Sequence, residues 1–264
     1  MQSKSKSSFK DIKNTRKSSV TTQKLHKLLA QTGLGSRREM EKLIEAGQVT
    51  INKKIASVAD RASKIDVVRI KKKIIQLNFG KELPRILLYH KPEGEIVSHN
   101  DPNNRPSVFD KLPKLKTSKW IAIGRLDFNT CGLLIFTTNG VLANRLMHPR
   151  YEVEREYAVR IMGKLSLIQR KLLITGVELG DGSARFTSLV EQGGKGSNHW
   201  YHVILQEGRN REIRRIFETI GITVSRLIRI RFGIIKLPPR LRRGHSIELS
   251  QAEVEHIFSK YHKK

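Results

Sequence analysis

The chain carries a single cysteine, Cys131, in 264 residues, which excludes an internal disulfide framework and any cysteine-built zinc cluster and points to a reducing compartment. It also lacks a G-x-x-x-x-G-K-S/T phosphate loop, a G-x-G-x-x-G turn after a strand pattern, and an H-E-x-x-H pair. Nucleotide-driven motors, dinucleotide enzymes and zinc hydrolases or deaminases are therefore poor matches. The nine histidines are scattered, with His90, His99, His148 and His202 each in a different segment, so no metal site and no small-molecule cofactor is expected. No apolar run approaches the roughly 20 residues that cross a bilayer, and no amphipathic anchor stands out, so a membrane is not the expected partner. Acidic residues are scarce too, 24 against 51 Lys and Arg, for a formal net charge of +27. Self-repulsion on that scale opposes compactness unless a polyanion compensates it, and nucleic acid is the expected partner, with RNA and DNA both open on composition alone.

At 38% apolar content the chain is long enough for one medium domain and a smaller one. Residues 1–20 are rich in Ser and Lys, with Asp11 their only acid, and lack a secretory apolar core. They are expected to be a disordered basic arm that adds counterion-release affinity, an organellar transit segment being the other reading and the cytoplasm the simplest location. From Thr22 the pattern turns helical: Leu25, Leu28 and Leu29 recur at i, i+3 and i+4, and Gly33 offers a stop. A second helix follows, with Ser36 and Glu39 in capping-box spacing, Met40, Leu43 and Ile44 as its stripe, and Gly47 closing it. Short alternating stretches at residues 48–51, 55–58 and 66–70 predict a small strand set hinged on Asn52-Lys53. Arg37 and Arg38 lie in the first turn of the second helix, where cations oppose the helix dipole, and Lys42 lies one turn on. The arrangement from Leu25 to Asn52 resembles the αL RNA-binding module of the S-four ribosomal-protein type. Lys53 departs from the glycine common at that turn, which suggests a looser hairpin.

The expected organisation is an αL module over 21–77, a polar linker over 78–84, a larger domain over 85–256 and a basic tail over 257–264. Within the larger unit, strands are predicted at 86–89, 121–123, 133–137, 157–162, 200–206 and 224–232, and helices near 141–147, 166–173 and 210–220. Mixed elements without strict βα alternation predict an α+β domain with a mainly antiparallel sheet. The polar stretch 98–119, with Pro102, Pro106 and Pro113, is either a substrate-facing loop or a surface excursion.

Asp127 is the residue with the most suggestive setting. It follows Ile121-Ala122-Ile123-Gly124 and precedes Leu133-Leu134-Ile135-Phe136, so its carboxylate lies where two core strands converge and needs a partner. On residues alone it is either a reactive acid or a turn cap before Thr130. Cys131, among apolar neighbours, reads as an inert buried thiol. Farther on, Gly208 to Phe217 opens a helix with Asn210 as N-cap and Ile213, Ile216, Phe217 and Ile220 as its stripe. At 100 degrees per residue Arg211 and Arg215 face away from that stripe, while Arg214 borders it. In Ser225 to Arg231 arginines alternate with apolar residues, as in a strand packed on one side and meeting phosphates on the other.

His90-Lys91-Pro92-Glu93-Gly94, the string from Gly124 through Gly140, Glu154-Arg155-Glu156-Tyr157, the 207–217 run and Arg226-Leu227-Ile228-Arg229 together resemble the ribosomal RNA pseudouridine synthases of the Rsu type. Cys131 stands where Ser is common and Asn139 where Asp is frequent. The resemblance implies that Asp127 is the catalytic aspartate acting on a flipped uridine, at the sugar or the base, with no second acid. It implies that Tyr157 packs on the flipped base and aids proton removal at C5. Arg214 resembles the basic residue that ion-pairs with the aspartate, and Arg125 an arginine that fills the space vacated by the uridine. Arg209, Arg211, Arg215, Arg226 and Arg229 then read as phosphate anchors, alongside Arg37, Arg38 and Lys42. The expected substrate is ribosomal RNA, free or in an assembling particle, bound by a monomer. Large-subunit RNA is favoured because Ser225 to Gly233 resembles the large-subunit members more closely. The rival reading is a non-catalytic RNA-binding ribosome-assembly factor or RNA chaperone.

Overall fold

The computed structural model describes residues 22–79 and 83–262. The arm expected over residues 1–20 lies outside the described residues, as do 80–82 of the expected linker and 263–264 of the expected tail. The chain divides into two compact units, the first including residues 22–30 and 35–79 and the second residues 31–34 and 83–262.

The first unit runs β1 (Gln23–Lys24), α1 (Leu25–Gln31), α2 (Arg37–Glu45), β2 (Val49–Ile51), β3 (Lys54–Ile55), β4 (Arg61–Ala62), β5 (Val68–Ile70) and β6 (Lys73–Ile75). The capping box of α2 forms as expected, with Glu39 N donating to Ser36 Oγ at 3.2 Å and Ser36 N to Glu39 Oε2 at 2.5 Å. Leu25, Leu28, Leu29, Met40 and Ile44 bury their side chains against Val49 and Val68 of an antiparallel sheet ordered β3-β2-β5-β6. That sheet turns twice on left-handed pairs, Asn52-Lys53 and Lys71-Lys72, with φ between 46° and 71°. Lys53 therefore adopts the conformation that glycine would take, at a strain of roughly 1 kcal/mol, and the hairpin stays tight rather than loosening. The strand expected through Val58 stops at Ile55, because Ser57 N donates to Asp60 Oδ2 in a turn.

The second unit contains β7 (Ile86–Lys91), β8 (Ile121–Ala122), β9 (Cys131–Thr137), α3 (Gly140–Met147), β10 (Arg155–Met162), α4 (Leu167–Thr175), β11 (Val177–Leu179) and β12 (Gly182–Ala184). It continues through β13 (Ser188–Lys195), β14 (Asn198–Leu205), α5 (Glu212–Glu218), β15 (Val224–Phe232), β16 (Ile235–Lys236), β17 (Ser246–Glu248) and α6 (Gln251–His262). Among the described residues nine strands form one sheet with the path β13-β14-β10-β15-β9-β7-β17, β16 joining β15 and β8 joining β9. Its pairings are antiparallel except β9 with β15, so the expected α+β architecture with a mainly antiparallel sheet is the one observed. One face packs on α4 and α5 through Tyr157, Val159, Leu173, Ile213 and Phe217. The opposite face is covered over β7 and β9 by α3 and α6, through Leu88, Leu133, Leu146 and Ile257.

Helix α6 corrects the expected tail at residue 257. Val254, Ile257, Phe258 and Tyr261 recur at i, i+3, i+4 and i+7 and pack inward, so the chain is helical as far as His262. The strand expected from residue 200 begins at Asn198, and its partner β13 was not among the expected strands, since Gly193 and Gly194 leave it with little side-chain pattern. The stretch 98–119 is an ordered excursion: Ile96 bridges Ser107, a short helical turn spans Val108–Lys111, and Val108 and Leu112 are buried.

Candidate active site

Strand β8 ends at Ala122, Gly124 follows in the left-handed region (φ 79°), and residues 124–130 form a loop that returns the chain into β9. Thr130 N donates to Asp127 O at 3.0 Å, closing a turn at the aspartate. The first residue pair of β9 lies against β15 with no room to spare. Gly132 sits at φ 112°, and a Cβ there would fall on the Arg229 main chain. A glycine at this one position lets the loop enter the parallel ladder Ile228 with Cys131.

Two buried cations hold the backbone of that loop. Lys91, fully buried at the end of β7, donates from Nζ to the carbonyls of Asp127 at 3.1 Å, Phe128 at 3.4 Å, Thr130 at 2.9 Å and Pro92 at 2.9 Å. Arg214 on α5 donates from Nη2 to the Asn129 carbonyl at 2.9 Å and from Nη1 to Val224 O at 2.8 Å. Carbonyls 127 through 130 are thus all fixed from the interior, whereas no hydrogen bond or ion pair reaches the half-buried Asp127 carboxylate among the described residues. Burial pulls the Lys91 ammonium down to about 8, against smaller opposing effects of Glu95, Cys131 and Asp127. Burial also lowers the Arg214 guanidinium, Arg211 adding to the effect and Asp127 opposing it. The carboxylate is within electrostatic reach of Arg214, but the expected ion pair is not formed, because the guanidinium is engaged by main-chain carbonyls. This corrects the expected contact.

Asp127 opens into a cavity of about 280 Å³ with Arg125, Thr130, Tyr157, Arg155 and Arg229 on its walls. Tyr157 comes from β10 and is buried; Arg125 is exposed. The Thr130 hydroxyl and Arg229 Nη2 are buried without a partner. The structure therefore gathers Asp127, Tyr157, Arg125, Arg209, Arg211 and Arg229 around one cavity, with Arg214 behind the loop rather than on the wall.

Several expected phosphate anchors have other partners. Arg229 is 2% exposed, donates from Nε to Leu133 O at 2.7 Å and lies over Phe232, so it is a floor residue. Arg209 is spent on the β11–β12 hairpin, donating to Gly182 O at 3.1 Å and Ser183 O at 2.8 Å and pairing with Glu207 at 2.6 Å. Arg215 grips both Asp181 carboxylate oxygens at 2.9 Å. Arg211 and Arg226 are exposed, as are Arg37, Arg38 and Lys42 of the first unit. Asn210 does not cap α5: Arg211 occupies the N-cap at φ 48° with no side-chain cap bond, and Glu212 Oε2 accepts from Arg209 N instead. Cys131 is the inert thiol expected, fully buried and raised in pKa chiefly by that burial. Sequence reasoning missed Lys91 and Arg155. The latter is 7% exposed on β10 and donates to Gln206 O and Glu207 O at 2.7 Å. For Lys91 the available signal was its place at the end of the apolar run Ile86 to Tyr89, whereas Arg155, between Glu154 and Glu156, carried none.

The family described as RNA pseudouridylate synthase matches residues 85–219, and the S4 domain matches residues 23–68. The chain belongs to the RNA pseudouridylate synthase family, a family of isomerases. It is 52% identical over 239 residues to "Ribosomal large subunit pseudouridine synthase B" of Salmonella typhimurium, covering 89% of this chain and 82% of that protein. The protein of the same name from Escherichia coli strain K12 matches to the same extent. The Pseudomonas aeruginosa protein is 47% identical over 235 residues, covering 88% of this chain and 61% of its own length. A solved pseudouridylate synthase structure shares the fold with a TM-score of 0.61 at 23% identity, covering 88% of this chain and 98% of that one.

Proposed function

We propose that this enzyme isomerises a uridine of large-subunit ribosomal RNA to pseudouridine, with Asp127 as the catalytic carboxylate. The observation that carries the reading is a carboxylate without protein partners among the described residues, on a loop whose four consecutive carbonyls are clamped, opening into a half-open cavity of about 280 Å³. Such preorganisation aims the acid at one bound nucleoside and leaves its charge free for it. In the proposed reaction Asp127 attacks the flipped uridine, the bond from N1 to the sugar breaks, the retained uracil turns to form a carbon–carbon bond from C5 to the sugar, and the bond to Asp127 breaks to free the carboxylate. The C5 proton is lost and N1 gains one, so atoms balance without water or cofactor. Tyr157 backs the base and lies near the departing proton. Arg214 works through the Asn129 carbonyl, which makes it a positioning residue for the loop. Arg125, exposed and lining the cavity, would occupy the gap left by the flipped base.

The proposed organisation is a basic arm over residues 1–20, an S4-type RNA module over 21–77, a linker over 78–84 and a catalytic domain from 85 that includes α6. A monomer in the cytoplasm fits the single cysteine and the rRNA substrate; no helix among the described residues is long and apolar enough to cross a membrane. Mapping pseudouridine by chemical probing in ribosomal RNA of cells lacking the gene tests the reading. One site is expected to lose its mark, regaining it with the wild-type chain and not with Asp127→Asn. Loss of no mark would assign the fold to RNA binding or chaperoning alone.

A further inference from the structure

The back of the large sheet is only half covered. α3 and α6 pack over β7, β9 and the Phe232 end of β15, and among the described residues their cluster takes in no side chain of β10, of β14 or of the start of β15. The register of those strands lays one row across the bare half: Trp200 on β14 faces Arg160 on β10, and Arg160 faces Arg226 on β15. With strands about 4.8 Å apart, the row spans about 10 Å. At its β13 end Trp200 faces Gly193, which has no side chain to shield the ring.

The row has the chemistry of a single-stranded RNA platform rather than of a neutral surface. Arg160 lies over the Trp200 ring at 5.9 Å and donates to the Ser225 hydroxyl at 3.0 Å, and no carboxylate pairs with it. Arg226 is exposed and has no partner among the described residues. The carboxylate nearby on the same face is already engaged, Glu156 by Arg231 at 2.7 Å and by His202 at 3.4 Å. Two uncompensated cations beside a half-exposed indole match phosphates and a stacked base.

The row also leads to the active site. Ile228 pairs with Cys131 in the parallel ladder, so Arg226, two residues earlier, falls level with Asn129 of the catalytic loop. An RNA strand leaving the cavity past that loop and turning over the end of β15 meets Arg226, then Arg160, then Trp200.

We infer that this back face is a second RNA surface, which takes the single-stranded segment flanking the target uridine across Arg226, Arg160 and Trp200. The inference rests on RNA being the substrate. Its test uses the full-length protein and a labelled oligocytidylate, which offers no uridine to the cavity, with a duplex RNA and polyglutamate as competing probes. Oligocytidylate is expected to quench Trp200 fluorescence, assigned with Trp200→Phe, and to photocrosslink at β14. Arg160→Ala combined with Arg226→Ala should weaken this quenching roughly tenfold and flatten its salt slope by roughly 1.4 for two phosphates. Arg160→Lys should restore most of the first loss, and the control pair Lys171→Ala with Lys260→Ala should leave quenching unchanged. Equal losses in the control pair, or no quenching, would overturn the surface; stronger competition by duplex would overturn single-strand recognition, and by polyglutamate would assign the face to an acidic protein. Uridine isomerisation scored in parallel separates the two readings, since a bare back face with turnover intact sinks only this inference.

Discussion

The loop at residues 124–130 and the second helix of the small unit are both rich in nearby cations, yet they use them in opposite ways. Around residues 124–130 most of the cations are buried or half-buried and bonded to carbonyls and carboxylates: Lys91, Arg155, Arg214 and Arg229 hold backbone, and Arg209 and Arg215 hold a hairpin. On α2 Arg37, Arg38 and Lys42 are exposed, and no ion pair joins them to a carboxylate among the described residues. The difference shows that a surplus of charge does not mark a nucleic-acid contact by itself. Burial and partner decide whether an arginine is scaffold or ligand-binding, because desolvating a guanidinium for no partner costs several kcal/mol.

The comparison breaks first at Asp127. Asp127→Asn keeps the loop clamp, which uses main-chain carbonyls, and removes the charge proposed to react. Turnover is expected to fall at least about 10⁴-fold while RNA affinity changes less than about threefold, read by single-turnover kinetics and direct binding. Arg214→Ala strips the Asn129 and Val224 carbonyls of their donor. It should lower turnover roughly 100-fold and unfolding free energy by about 2–3 kcal/mol, with affinity little altered; a fall in affinity alone would return Arg214 to the ligand-binding class.

Lys91→Met tests the clamp from the other side, with turnover expected to drop roughly tenfold and stability by about 1–3 kcal/mol. The pH dependence separates charge from packing. Burial holds Lys91 near 8 against an ordinary 10.5, so between those values the unfolded chain binds the proton more firmly and stability from this group rises with pH. Urea midpoints across that window should climb less steeply for Lys91→Met than for the wild type. A smaller effect belongs to the exposed set: Arg37→Ala with Arg38→Ala should weaken RNA binding roughly tenfold and flatten the salt slope by roughly 1.4, with Tm unchanged. The smallest contrast sits on neighbouring residues. Arg209→Ala should lower Tm without moving the salt slope, whereas Arg211→Ala should move the slope by roughly 0.7 and leave Tm alone.

Much of the fold could be read before any coordinates. The Ser36 to Glu39 capping box, the Leu25, Leu28, Leu29 stripe and the apolar run through Phe136 are local signals, set by hydrogen bonds and side-chain periods that need no distant partner. Asp127, Tyr157 and the α5 helix were likewise visible, through motif order and the helical wheel. What stayed hidden depended on approach across the chain. Glycine-rich β13 and the second half of α6 are stable only against β14 and α3, and Asn210 looked like a cap because the Arg209 to Glu212 bond is a product of the folded loop.

Sequence alone determined that this is a strongly basic, two-unit α+β chain whose reactive candidate is one aspartate between apolar strands. Tertiary structure decided which cations serve that aspartate. Arg209, Arg211, Arg214, Arg215, Arg226 and Arg229 look alike as letters, but strand register and helix rotation bury some among carbonyls and leave Arg211 and Arg226 in water. A guanidinium's role follows from its dielectric surroundings and its hydrogen-bond partners, and those are set by residues far away in the chain.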